Sequence, residues 1–216
     1  MYNKTMKPIV FDVGTNTGNE LYAAITSGQD ADFYAFEPVP EIYNDLLERL
    51  KEHDNVKFFQ LAVSNYNGKA SFNVSNEQSQ GEVSSLLEMV DNVKDNWGHV
   101  AACFEYTHKI DVDVITLESF IEEHNIPYIT YLHVDAQGSD LNVLKGLGSK
   151  LHLVQGGAVE AAIKYNVIYK NQCMIDEVVN FLEQNNFEIV RIEPNDQWNN
   201  EANIQFKNNN FYITDK

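Results

Sequence analysis

The stretch Ile9-Val10-Phe11-Asp12-Val13-Gly14-Thr15-Asn16-Thr17-Gly18 constrains the fold more than any other part of the chain. Ile9, Val10, Phe11 and Val13 are β-branched or aromatic and read as a short buried strand, Gly14 and Gly18 bracket a turn, and a helical pattern starts at Asn19. A strand, a glycine turn and a helix in that order make a nucleotide cradle: glycine lets the backbone approach a ligand closely, and the helix N-terminus presents unpaired N–H groups. Against the dinucleotide fingerprint G-x-G-x-x-G only Gly14 fits, because Asn16 and Asn19 stand at the other two glycine positions, which argues against an NAD enzyme. Taken alone, such a turn is either a cofactor loop or an ordinary tight connection.

The next strand adds specificity. Phe33-Tyr34-Ala35-Phe36 is an apolar run that stops at Glu37, followed by Pro38 and by Pro40 at the first position of another helix. The interval from Gly18 to Glu37 is what one crossover helix needs before a parallel strand ends beside the first turn. An acidic side chain there accepts both hydroxyls of a ribose, whereas the plainer reading is a solvated strand end.

Along the chain, a first helix is read from Asn19 to Ser27 with Gly28 as its C-cap, and a second from Pro40, where Ile42, Tyr43, Leu46, Leu47 and Leu50 form a core-facing stripe. Val56 to Ala62 reads as the third strand, so that Ala62, Val63 and Ser64 would lie near an adenine, and an Asn67-Gly68 turn leads to an extended piece from Ala70 to Val74. Residues 75–109 lack a clean period and are either a lid over a substrate or a loosely ordered loop. Ile110, Val112 and Val114 alternate with Asp111 and Asp113 as in an edge strand, and Thr116 is placed to cap a helix from Leu117 to His124. Tyr131 to Asp135 is the fourth main strand, with a Gln137-Gly138 turn into a helix capped by Ser139 or Asp140. Leu151 to Glu160 is the fifth, with Gly156-Gly157 marking a bulge or a close approach. A helix through Ile175, Val178, Val179 and Leu182 precedes closing strands at Phe187 to Ile192 and Ala202 to Phe206. The alternation predicts a single α/β domain over residues 1–216: a Rossmann-like, mostly parallel seven-stranded sheet with helices on both faces and an antiparallel last strand.

Charge narrows the partners. Fifteen basic against 32 acidic residues give a net −17, which repels phosphate backbones and anionic lipid surfaces, so neither nucleic acid nor membrane is expected as a partner. No run approaches the roughly 20 apolar residues of a membrane helix, and Met1 to Pro8 is too polar for a signal peptide, so the expected location is the cytoplasm. Cys103 and Cys173 share no metal-type spacing and read as reduced thiols; His99, Cys103 and His108 lack a fourth ligand or a recognised spacing.

Asp12-Val13-Gly14-Thr15-Asn16-Thr17-Gly18 resembles motif I of class I S-adenosylmethionine-dependent methyltransferases, in which the strand-end Asp lies close to the methionine portion of the cofactor. More narrowly, the chain resembles the FkbM methyltransferase family through that block and Phe36-Glu37-Pro38-Val39-Pro40, Leu61-Ala62-Val63-Ser64, Ser84-Ser85-Leu86, Val114-Ile115-Thr116-Leu117 and His133-Val134-Asp135-Ala136-Gln137-Gly138. Further matches are Val143-Leu144-Lys145-Gly146, Glu160 and Tyr169-Lys170-Asn171-Gln172, so the resemblance runs from about residue 9 to 206. It implies S-adenosylmethionine as cofactor, held by Asp12, Gly14, Thr15, Asn16, Gly18, Glu37, Pro38, Ala62, Val63 and Asp135. It also implies methyl transfer to a hydroxyl of a glycan or other small-molecule acceptor. Two departures stand out: Gln137 where the family usually has Glu, and His133 where it often has Lys.

Methyl transfer to a hydroxyl needs an in-line acceptor and a group to remove its proton, which directs attention to Asp135, His133 and Glu160 at the strand ends. Asp135 is either that base or a cap for the helix after it. Two rival functions are a binding protein that keeps the cradle without catalysis, and a metal-dependent enzyme with Asp135 and Glu160 as oxygen ligands.

Overall fold

The computed structural model describes residues 7–76, 79–164, 167–195 and 200–211. In chain order these run β1 (Ile9–Val13), α1 (Asn19–Thr26), β2 (Asp32–Phe36), α2 (Pro40–Leu50), β3 (Val56–Phe59), β4 (Ala62–Val63), β5 (Gly68–Ser75) and α3 (Val93–Asn96). After a 3₁₀ turn come β6 (Tyr106–Ile115), α4 (Leu117–His124), β7 (Tyr131–Val134), α5 (Asp140–Lys145), β8 (Gly156–Ala162), α6 (Ile175–Gln184), β9 (Phe187–Pro194) and β10 (Glu201–Asn208). Seven strands form one sheet in the order β3-β2-β1-β7-β8-β10-β9, in which β10 is antiparallel to both neighbours and the other pairings are parallel. This is the Rossmann-like fold expected. Strand order reverses about β1, which opens a crevice at the carboxyl ends of β1 and β7.

Alternation along each strand decides which layer it feeds. Phe11, Val13, Leu132, Val134 and Val159 meet Phe120, Leu141, Leu144, Val178 and Leu182 of α4, α5 and α6. On the other face Val10, Phe33 and Ala35 meet Leu21, Ile25, Leu46 and Leu50 of α1 and α2. Phe11, Leu132 and Val134 are fully excluded from solvent, and each such side chain contributes about 1.5 to 3 kcal/mol of burial. Cover on the α1/α2 side is incomplete: Tyr131 and Val190 are 43% and 54% exposed, beside an open groove of about 660 Å³.

Several boundaries differ from the sequence reading for identifiable reasons. The third strand ends at Phe59, where the Glu37 N–H makes the last ladder bond to the Phe59 carbonyl (3.1 Å), because the next donor on that side, the Val39 N–H, turns to Glu37 Oε1 (2.8 Å). Ala62 and Val63 instead pair with β6 in a second, three-stranded sheet of order β4-β6-β5. The alternating run at Ile110–Val114 is therefore the middle of that sheet and not an edge. Its period arises because Val112 and Val114 pack on Val39, Ala62 and Phe72 while Asp111 and Asp113 face water. Leu151 belongs to a 3₁₀ turn over Gly148–Leu153, so the fifth main strand starts only at Gly156. A Cβ on Gly157 would sit 2.0 Å from the Leu132 carbonyl oxygen, which is the close approach anticipated there. Thr116 does cap α4, its Oγ1 accepting from the Ser119 N–H at 3.1 Å.

Within the irregular stretch, Val93, Trp97 and Phe104 pack with Ile168 and Tyr169 as an apolar cluster separate from the main core. Asn73 pairs with Ser85 through two backbone bonds, which folds the segment back over the strand ends. Among the described residues no helix is long and apolar enough to cross a membrane.

Candidate functional site

A cleft of about 490 Å³ lies at the carboxyl ends of β1, β2 and β7, roofed by Gly81, Val83, Ser84, Trp97 and Phe104. Asp12, Gly14, Thr15, Asn16, Glu37, Pro38, Ala62, Val63, His133 and Asp135 all line it, whereas Gly18 and Glu160 do not. The turn after β1 is fixed to β2 by the Gly14 and Thr15 N–H groups, both donating to the Phe36 carbonyl at 3.1 Å. Gly14 has φ +84, and a Cβ there would lie 1.9 Å from the Asp135 carbonyl oxygen. Gly18, at φ +71, opens α1 behind the cleft, and its Cβ would meet only the end of the Leu46 side chain at 2.5 Å.

The two glycines therefore have different expected failures. Gly14→Ala displaces the β7 turn that carries Asp135 and should lose both stability and ligand binding. Gly18→Ala should lower the melting temperature while leaving the affinity of the folded protein for S-adenosylhomocysteine within about threefold. Thermal melts paired with calorimetric titration check both, and a strong affinity loss in Gly18→Ala alone would reverse the assignment.

Glu37 is 5% exposed. Its Oε2 accepts from the Asn16 N–H (3.0 Å) and its Oε1 from the Val39 N–H (2.8 Å). Prolines on both sides leave Val39 the only backbone donor of that turn. Each carboxylate oxygen thus keeps a lone pair for a ligand. Burial pushes the Glu37 carboxyl up to about 7, against the two backbone N–H groups that favour its ionised form. Leu61, Ala62, Val63, Phe72 and Leu86 make an apolar wall in the same cleft, and Asn16 Oδ1 is buried with no hydrogen-bond partner.

His133 stands opposite Asp12 in the β1–β7 register, and its Nδ1 lies 2.7 Å from Asp12 Oδ1. Burial disfavours the charged ring, yet the hydrogen bond and charge of Asp12, with Glu20 and Asp135 nearby, raise it to about 9. That shift favours the charged ring. The geometry suits a cationic role for His133 beside the proton-handling role expected from the sequence.

Asp135 lines the cleft and does not cap α5. The N-cap Ser139 makes no side-chain cap bond either, and Asp140, the first residue of α5, reaches back to the turn before the helix, its Oδ1 and Oδ2 accepting from the Ala136 (2.7 Å) and Gly138 (3.0 Å) N–H groups. Asp135 Oδ1 accepts instead from Gln137 Nε2 at 2.6 Å, and Gln137 Oε1 accepts from the Tyr169 hydroxyl at 2.7 Å. A carboxamide gives one bond and takes the other, whereas an ionised glutamate would have no hydrogen to offer Asp135, which gives the Gln137 departure a physical sense. Burial raises the Asp135 carboxyl above its ordinary range, opposed by His133 and Gln137. Glu160, 8% exposed, receives a hydrogen bond from Asn195, and burial together with the charges of Asp135, Glu201 and Asp140 pushes its carboxyl well up.

Other cleft residues carried no assigned role in the sequence reading. Asn195, Glu201, Ile168, Trp97 and Phe104 line the β8–β10 side. Ser85 Oγ donates to the Gln137 carbonyl (2.7 Å), and Gln172 Oε1 accepts from the Ile168 and Tyr169 N–H groups while its Nε2 donates to Glu201 (2.6 Å). The Ser84-Ser85-Leu86 and Tyr169-Lys170-Asn171-Gln172 blocks were the only signal for them. Among the described residues no three His, Cys, Asp or Glu side chains gather as a metal ion would require, and the side chain of His99 lies outside that description.

The 2-O-methyltransferase NoeI of Sinorhizobium fredii (strain NBRC 101917 / NGR234) is 22% identical over 183 residues, 85% of this chain and 73% of that protein. Sp1610 of Streptococcus pneumoniae superposes with a TM-score of 0.51 at 11% identity, over 98% of this chain and 68% of that one. A protein of the NADB-Rossmann superfamily from Streptococcus agalactiae gives 0.50 at 15% identity, over 97% and 67%. These two likenesses concern the fold. Residues 12–206 match the family described as the methyltransferase FkbM domain, and the chain belongs to that family.

Proposed function

We propose that the protein is an S-adenosylmethionine-dependent O-methyltransferase acting on a hydroxyl of a neutral saccharide. The observation that carries this reading is a single cleft with two unlike ends. Glu37 follows β2, Asp135 follows β7 and Glu201 opens β10, so sheet order sets Asp135 between the other two. At the Glu37 end, a buried carboxylate with spare lone pairs, the unpartnered Asn16 oxygen and an apolar wall suit a ribose and an adenine. Asn195 and Glu201 bring hydrogen-bonding groups to the other end, and Trp97 and Phe104 line the same cleft, a mixture of the kind that holds a sugar ring. Asp12, Glu20, Glu37, Glu82, Asp135 and Glu201 give the lining a negative charge that disfavours a phosphorylated acceptor. The likeness to a 2-O-methyltransferase supports direction to oxygen.

S-Adenosylmethionine, when bound, supplies an electrophilic methyl group on a sulfonium. The protein's part is to hold the ribose at Glu37, exclude water under the roof of residues 81–104 and take the acceptor's hydroxyl proton at Asp135. Transfer of labelled methyl to a panel of neutral mono- and oligosaccharides, with and without chelator, tests this. A methyl ether formed in both conditions is expected. Tight S-adenosylhomocysteine binding with no transfer to any acceptor would leave a binding protein, and activity abolished by chelator and restored by a divalent cation would favour the metal-dependent form.

A further inference from the structure

We propose that His133, through Nε2, is the anchor for the α-carboxylate of the cofactor's methionyl end, an inference that rests on the S-adenosylmethionine reading above. The first observation is the charge inventory of the cleft. Among its described lining residues are six carboxylates, no lysine, no arginine and one histidine, His133. S-Adenosylmethionine ends in an ammonium and a carboxylate. The ammonium has acidic partners in abundance, whereas His133 is the one described lining side chain that can offer a carboxylate an opposite charge.

The second observation is how the ring is held. Its Nδ1 is committed to Asp12, a side chain only 9% exposed, at 2.7 Å. Its Nε2 lies 3.4 Å from an oxygen of Glu20, at the start of α1, and that side chain is 81% exposed. One N–H is therefore locked by a buried acid, while the other faces a carboxylate free to swing into water when a better-placed anion arrives. Locking Nδ1 also fixes the plane of the ring, so the second N–H is aimed before the ligand binds and little side-chain entropy is lost. Asp12, which the resemblance sets close to the methionine portion, and His133 then present opposite charges side by side to a zwitterion. The raised basicity of His133 keeps that charge present at neutral pH.

The test compares two ligands on three proteins by calorimetry: S-adenosylhomocysteine and its decarboxylated analogue, on the parent, His133→Gln and His133→Lys. The parent should prefer S-adenosylhomocysteine by roughly tenfold or more, the range of one charge-assisted hydrogen bond. His133→Gln should erase most of that preference, because only the carboxylate-bearing ligand loses a partner, and His133→Lys should keep it. Equal affinity of the parent for both ligands, or a preference that survives in His133→Gln, overturns the proposal while leaving the cofactor reading intact. If the parent binds neither ligand, the cofactor reading itself fails. Should His133→Gln not fold, because Asp12 is left buried without its cation, the parent's preference and its retention in His133→Lys still decide.

Discussion

Asp135→Asn should fold, bind S-adenosylhomocysteine normally and transfer methyl about 10²- to 10⁴-fold more slowly than the parent. The substitution is nearly isosteric, and Asn keeps a carbonyl oxygen to accept from Gln137 Nε2, so the bond that orients the group survives. Because Asp135 makes no side-chain cap bond to α5, no helix cap is lost with the charge. What disappears is the one carboxylate of β7 that faces the cleft and can take a proton. Single-turnover transfer at saturating cofactor is the deciding measurement, and a rate within a few-fold of the parent would remove Asp135 from the chemistry. The pH profile adds an independent check. Burial holds the Asp135 carboxyl above the ordinary aspartate range, so the acid limb of kcat/KM should lie above that range as well. Gln137→Met removes a donor that favours the ionised form, and the limb should then move to still higher pH.

Glu37→Ala should weaken S-adenosylmethionine binding by about 10- to 100-fold, the worth of a charge-assisted hydrogen bond lost at a buried partner. Unchanged affinity in a folded variant would take the ribose away from Glu37. A pH dependence follows from the same site. The free carboxyl titrates at about 7 because it is buried, while only the ionised form accepts from two hydroxyls. The unliganded protein therefore carries more protons than the complex, so binding releases a proton and affinity rises with pH until the carboxyl is fully ionised. Relative to pH 8, affinity at pH 6 should fall by about tenfold in the parent. Glu37→Gln should be weaker throughout and should lack this component, which separates Glu37 from titrations of the ligand itself. A parent and a Glu37→Gln variant with parallel pH profiles would contradict the assignment.

How far the sequence reaches is clearest where local signals and tertiary contacts can be separated. β1, α1, β2 and α2 were legible because each is marked by residues that act on their own backbone: the apolar run at 9–13, the glycines at 14 and 18, and Pro40 at a helix start. The same holds for Thr116 before α4 and for the helix over 175–184. Glu37 was found by its interval from Gly18, since parallel strands joined by one helix have little freedom in length. The break after Phe59 was not legible, because it depends on the Val39 N–H turning to the Glu37 side chain, and neither was the middle position of β6, because alternation reports a one-sided sheet without saying which strand lies alongside.

The sequence by itself determined the mostly parallel α/β class and the cradle, which follow from short-range periodicity and from residue types at fixed spacings, and its motif blocks carried the resemblance to the family. Tertiary structure alone decided three other things. It set Gly18 behind the cleft, where it opens α1, and Glu160 outside its wall, because β8 runs on to Ala162 and the Glu160 side chain is taken up by Asn195. It set His133 beside Asp12, which arrives from a different strand and raises the basicity of the ring against the cost of burying it. It joined Tyr169, Gln137 and Asp135 in one chain of hydrogen bonds, since Tyr169 comes from far along the sequence and only the folded cap brings its hydroxyl within 2.7 Å of Gln137.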